Sequence, residues 1–120
     1  MSRIIFQENF NKMKQTVGAY IKKLRKEKGL TLTQLGAILG IDSGLLSKIE
    51  NGKRKLDEKV LPKLADEFNL DIEELKNEYL SEIIAQKIYS NNYSTKVLQL
   101  AEEKVKYFKQ KNVKQISLNL

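Results

Sequence analysis

The chain has 120 residues, with 22 Lys and Arg against 15 Asp and Glu, no His, no Cys and a single Pro. That length predicts one domain with a modest core, so association is an expected source of additional stability. The lack of cysteine removes disulfides and cysteine-based zinc sites, no apolar run approaches the roughly 20 residues of a membrane span, and a soluble, cytoplasmic protein is the expectation. The positive charge is unevenly spread: residues 1–56 hold 12 Lys and Arg against 4 Asp and Glu, a net of +8, whereas residues 57–120 hold 10 against 11, a net of −1. A polyanionic partner accounts for such a division through phosphate neutralisation and counterion release, whereas solubility alone does not require it.

Residues 1–15 read as an N-terminal arm, with Ile4, Ile5, Phe6, Phe10 and Met13 scattered among polar residues. Ile4 to Phe6 is β-prone, and either a short strand or a frayed end suits it. Thr16 is placed to cap a helix over Val17 to Lys28, in which Ala19 or Tyr20, Ile21 and Leu24 face inward, Lys22, Lys23 and Lys26 face out, and Gly29 is the stop.

Thr31 to Gly52 reads as two short helices joined by a tight turn. Thr31 with Gln34 forms a capping box, and Leu35, Ile38 and Leu39 give the first helix an apolar stripe beside the small Gly36 and Ala37. Gly40 closes that helix, Ile41 plugs the corner, and Asp42 caps a second helix, Ser43 to Asn51, with Leu46 and Ile49 inward. Its outer edge is small, polar and cationic, the surface a helix needs to enter a DNA major groove. Ser43, Ser47 and Lys48 are the candidate base-edge contacts, Lys48 favouring guanine acceptors; Gly44 permits close approach and Leu45 is a candidate for a thymine methyl. After the Asn51-Gly52 turn comes Lys53-Arg54-Lys55, the densest basic run in the chain. Following the second helix directly, these cations are candidate phosphate contacts together with Thr33, Gln34 and Asn51.

Leu61, Leu64, Ala65 and Phe68 form the next stripe, with Pro62 in a first helical turn and Asn69 at the end. Asp71 caps a further helix with Ile72 and Leu75 inward. The carboxylates of Glu73, Glu74, Glu78 and Glu82 raise the question of a metal or acid/base site. With no histidine and no matching oxygen-ligand loop, an acidic outer face turned away from DNA is the simpler reading. The helical pattern continues through Tyr79, Leu80, Ile83, Ile84 and Ile88, breaks over Ser90 to Ser94, and resumes from Thr95 to about Lys111 with Val97, Leu98, Ala101, Val105 and Phe108 on one side. These two helices need an apolar partner, either the rest of the chain or another subunit. Ile116, Leu118 and Leu120 alternate with polar residues, a short strand signal.

The stretch GLTLTQLGAILGIDSGLLSKIENGKR resembles the helix-turn-helix of the lambda-repressor-like, or XRE, family of DNA-binding regulators. Upstream, IKKLRKEKGL is similar to the family's first helix; downstream, VLPKLADEFNLDIEELK is similar to its fourth and fifth, so the likeness covers about Val17 to Lys76. The resemblance implies an all-α fold: a five-helix DNA-binding domain over residues 16–76 and a C-terminal helical extension over 77–120, with the terminal segments as possible short strands. It also implies an ion pair between Arg25 and Glu50, fixing how the first helix crosses the recognition helix. Leu32 departs from the pattern, standing where the family usually has a phosphate-contacting Gln; Gly36 replaces the usual Ala and preserves smallness.

The function implied is sequence-specific recognition of double-stranded DNA by a transcriptional regulator, with no enzymatic chemistry, cofactor or metal. Because dimers are common in the family, the extension is expected to make a homodimer interface, setting two recognition helices about 34 Å apart on a two-fold symmetric operator. A compact domain with a helical extension most resembles the controller proteins of restriction-modification systems. The alternative is an antitoxin, whose extension binds a partner protein. A protein-binding adaptor that has lost DNA binding is a third reading, against which the basic, small-residue recognition edge argues.

Overall fold

The computed structural model describes residues 15–119, with side chains to residue 112. Among these residues the fold is all-α, with helices α1 (Val17–Glu27), α2 (Leu32–Leu39), α3 (Ser43–Glu50), α4 (Leu61–Phe68), α5 (Ile72–Ser90) and α6 (Lys96–Asn119). A 3-10 turn, Glu58–Val60, leads into α4. The expected strand at Ile4 to Phe6 lies outside the described residues. At the other end the strand reading of Ile116 and Leu118 is corrected, because α6 runs on through Asn119. Three alternating apolar residues are a weak strand signal, whereas a helix already formed extends at the cost of one fixed residue per hydrogen bond.

The chain forms two compact units, one reaching Ile83 and the other beginning at Ile84. The first has a single core in which Ile21 of α1, Leu35 and Leu39 of α2, Leu46 of α3, Leu61 and Leu64 of α4 and Leu75 of α5 are fully buried. Tyr20, not Ala19, is the inward residue of α1. The stripe of α2 also differs from expectation: Ile38 is 40% exposed while Gly36 is buried. At about 100° per residue, the buried arc of α2 is centred between Leu35 and Gly36, which leaves Ile38 about 110° away. Local caps set the boundaries. The Thr16 hydroxyl accepts from Ala19 N at 3.1 Å, and Asp71 Oδ1 accepts from Glu73 and Glu74 N at 3.0 and 3.1 Å.

The second unit consists of the end of α5 and α6. None of its described side chains is buried, and Val97, Leu98, Val105, Tyr107 and Phe108 stand about half exposed along α6. A helix pair with no buried side chain lacks the tertiary packing that supplies most helical stability in proteins.

Candidate nucleic-acid interface

The interface is built outward from α3. Asp42 Oδ2 accepts from Gly44 N at 2.9 Å and from Leu45 N at 3.2 Å, satisfying two of the free donors of the first turn and fixing where the helix starts. Leu46 and Ile49 then anchor one edge in the core, leaving Ser43 and Ser47 half-buried and Gly44 and Lys48 exposed on the outer part of the helix. Leu45 is half-buried and packs against the core, so only part of its side chain faces out.

Two contacts with α1 set the angle of α3. Gly18 is one: a Cβ there would lie 2.1 Å from the Ile49 carbonyl oxygen, so only glycine lets the two backbones approach this closely. Arg25 is the other. Its Nε donates to Glu50 Oε2 at 2.8 Å and its Nη2 to Glu50 Oε1 at 3.0 Å, a two-pronged pair with both residues buried. Its Nη1 also donates to the Leu30 carbonyl at 2.9 Å, which ties the chain entering α2 to the same guanidinium. The hydrogen bonding to Glu50 raises the Arg25 pKa above its ordinary value despite the opposing effect of burial.

The turn between α2 and α3 is closed by Gly40, whose φ of 73° is left-handed, and by Ile41 N donating to Gly36 O at 2.8 Å. Gly36 does more than stay small. A Cβ on it would meet the Ile41 carbonyl oxygen at 2.5 Å, so the turn runs too close for the alanine the family usually carries there. The reciprocal capping box is present, with Gln34 N donating to Thr31 Oγ1 at 3.0 Å and Thr31 N to Gln34 Oε1 at 2.9 Å. This occupies the amide oxygen of Gln34; its amide nitrogen is the donor a phosphate would take. Thr33 is exposed beside it, and Leu32 packs half-buried at the core's edge.

Beyond α3 the chain is pinned at once. Asn51 Nδ2 donates to Ser47 O at 2.9 Å and Lys53 N to Lys48 O at 2.8 Å, folding the helix end back on itself. Lys53, Arg54 and Lys55 are all exposed; Leu56 then returns to the core, and its carbonyl accepts the Tyr79 hydroxyl of α5. Thus the structure brings the predicted base-reading and phosphate-binding residues into one continuous segment, with α2 supplying Thr33 and Gln34.

The acidic residues of α5 do not form a uniform outer face. Glu82 Oε1 accepts from Val17 N at 2.8 Å, stabilising the positive start of α1, and one oxygen of Glu74 is shielded from solvent. Among the described residues, no group of three or more His, Cys, Asp or Glu is placed to hold a metal, and no helix is long and apolar enough to cross a membrane.

Residues 21–75 match a family model described as helix-turn-helix. A relative from Bacillus phage phi105, the ImmF control region 10 kDa protein, is 43% identical over 60 residues, covering 50% of this chain and 67% of its own length. Among solved structures, the clp gene regulator ClgR of Corynebacterium glutamicum is 21% identical with a TM-score of 0.44, over 70% of this chain and 87% of its own. A SinR protein/SinI protein complex is 23% identical with a TM-score of 0.46, over 79% of this chain and 99% of the matched one. With a helix-turn-helix model matched from within α1 to the first turn of α5, and a phage relative 43% identical over 67% of its own length, the chain belongs to the XRE-like helix-turn-helix family of DNA-binding transcriptional regulators.

Proposed function

We propose that the protein binds double-stranded DNA sequence-specifically as a homodimer on a two-fold symmetric operator and thereby regulates transcription. The observation carrying this reading is the outward edge of α3, Ser43, Gly44, Ser47 and Lys48, with the exposed Lys53-Arg54-Lys55 folded back against its end by Lys53 N on Lys48 O. The α3 edge reads bases, with Lys48 on guanine acceptors, the two serines on adjacent polar edges and the exposed part of Leu45 on a thymine methyl. Thr33, Gln34, Asn51 and the three cations hold the sugar-phosphate backbone and set the register. The relative bearing the name of a phage control-region protein supports a regulatory role of that kind.

Dimerisation falls to the second unit. Its half-exposed Val97, Leu98, Val105 and Phe108 need a cover, and a second copy supplies an equally apolar one by symmetry. A restriction-modification controller would use the unit in this way, whereas an antitoxin would offer it to another protein. Sedimentation velocity tests the reading. The wild type should run as a dimer, and Leu98→Glu with Phe108→Glu as a monomer that keeps the thermal transition of the DNA-binding unit. A wild type that stays monomeric with and without duplex DNA contradicts it.

A further inference from the structure

We propose that Tyr79, on α5 and away from the helix-turn-helix, is a positioning residue for the DNA backbone: it holds Lys53-Arg54-Lys55 in the conformation that meets phosphate. The inference rests on reading those three cations as phosphate contacts. Lys53 is fixed at the start of the segment by its N–H on the Lys48 carbonyl at 2.8 Å, following Gly52 N on Ile49 O at 3.1 Å. Leu56 is fixed at its end twice, by a side chain only 3% exposed and by a carbonyl that accepts the Tyr79 hydroxyl. Between these two anchors lie only Arg54 and Lys55, both exposed.

A tether this short leaves the backbone little freedom, so the entropy of ordering it is lost on folding and not on binding. Tyr79 is itself 5% exposed, and burial together with Glu58 and Asp57 raises its pKa, which keeps the phenol protonated as a donor. Without the hydroxyl the Leu56 carbonyl loses its buried partner, and the basic run keeps only the Leu56 side chain as the tie at its far end. The cations remain, so the loss appears as weaker binding of any duplex, not as altered sequence preference.

The experiment is a double-mutant cycle on a mixed-sequence DNA duplex. It uses four full-length proteins, the wild type, Tyr79→Phe, Lys53→Ala/Arg54→Ala/Lys55→Ala, and all four substitutions together, each assayed below its measured melting transition. Tyr79→Phe should weaken binding about five- to tenfold, equivalent to freeing roughly one residue of backbone. In the triple-alanine background it should cause no further loss, and backbone amide relaxation of residues 54–56 in the free Tyr79→Phe protein should report faster motion. Wild-type affinity in Tyr79→Phe, or an equal loss in both backgrounds, overturns the proposal. If Tyr79→Phe melts below the assay temperature, the whole cycle is repeated at a lower temperature at which all four proteins are folded, and the same two outcomes decide it. A triple-alanine variant that binds like wild type instead refutes the phosphate-contact reading beneath it.

Discussion

Arg25 and Glu50 are opposite charges withdrawn from water in the crevice between α1 and α3, each held by two parallel hydrogen bonds to the other. Their net contribution to stability is small, because desolvation offsets attraction, but removing one strands the other. Arg25→Ala should therefore lower unfolding free energy by about 3–5 kcal/mol, whereas Arg25→Met with Glu50→Leu should recover most of that loss in urea denaturation. Two equal and additive losses would contradict the paired account. Tyr20 carries a different signature. Burial, and secondarily Glu27, push its pKa up to about 12. A raised folded-state pKa means that the unfolded chain releases its proton first, so this contribution is intact below about pH 10 and is lost as pH climbs through the folded value. Urea midpoints followed from about pH 9 upward should fall less steeply for Tyr20→Phe than for wild type; parallel curves would show that the phenol is not responsible. The Arg25–Glu50 pairing was legible only through family resemblance, since nothing local links residues 25 apart. The contacts made by Gly18, Tyr79 and Glu82 were not legible at all. Their partners lie far along the chain, 23 residues away for Tyr79 and 65 for Glu82, and no periodicity encodes such a meeting.

Helices α2 and α3 were the most readable elements because their signals are local: a capping box, a left-handed stop and an aspartate cap within a few residues of the ends they specify. Helix ends repeat one device down the chain. Leu30 N returns to Arg25 O, Ile41 N to Gly36 O, Lys53 N to Lys48 O, Leu70 N to Ala65 O and Tyr93 N to Ile88 O. The Gly or Asn before each donor announces it in the sequence. Ile38 was misread because spacing alone does not say where a helix's buried arc is centred; the turn carbonyl against Gly36 does. Two effects compete at that glycine. Alanine gains about 1 kcal/mol in helix propensity, while a methyl 2.5 Å from the Ile41 carbonyl oxygen forces the turn apart, an overpacking cost of about 1–3 kcal/mol. Gly36→Ala should accordingly be destabilised in urea denaturation. A more stable variant would mean that the turn yields without penalty.

At the scale of the molecule, the excess positive charge lies in the half that contains the helix-turn-helix, so DNA affinity should fall steeply as salt is raised, and a flat titration would contradict the phosphate-contact reading. The length of α6 escaped the sequence because its last turns carry few apolar residues at helical spacing, while an already formed helix propagates cheaply. In the proposed dimer its exposed apolar residues would form the interface, and spacing between recognition helices would become part of specificity. Selection of bound sequences from a random duplex pool bears on specificity, symmetry and spacing together. Enrichment of a two-fold related site with half-sites about 10 base pairs apart, or a multiple of that spacing, is the expected result; a recovered pool no different from the starting one would contradict sequence-specific recognition by α3.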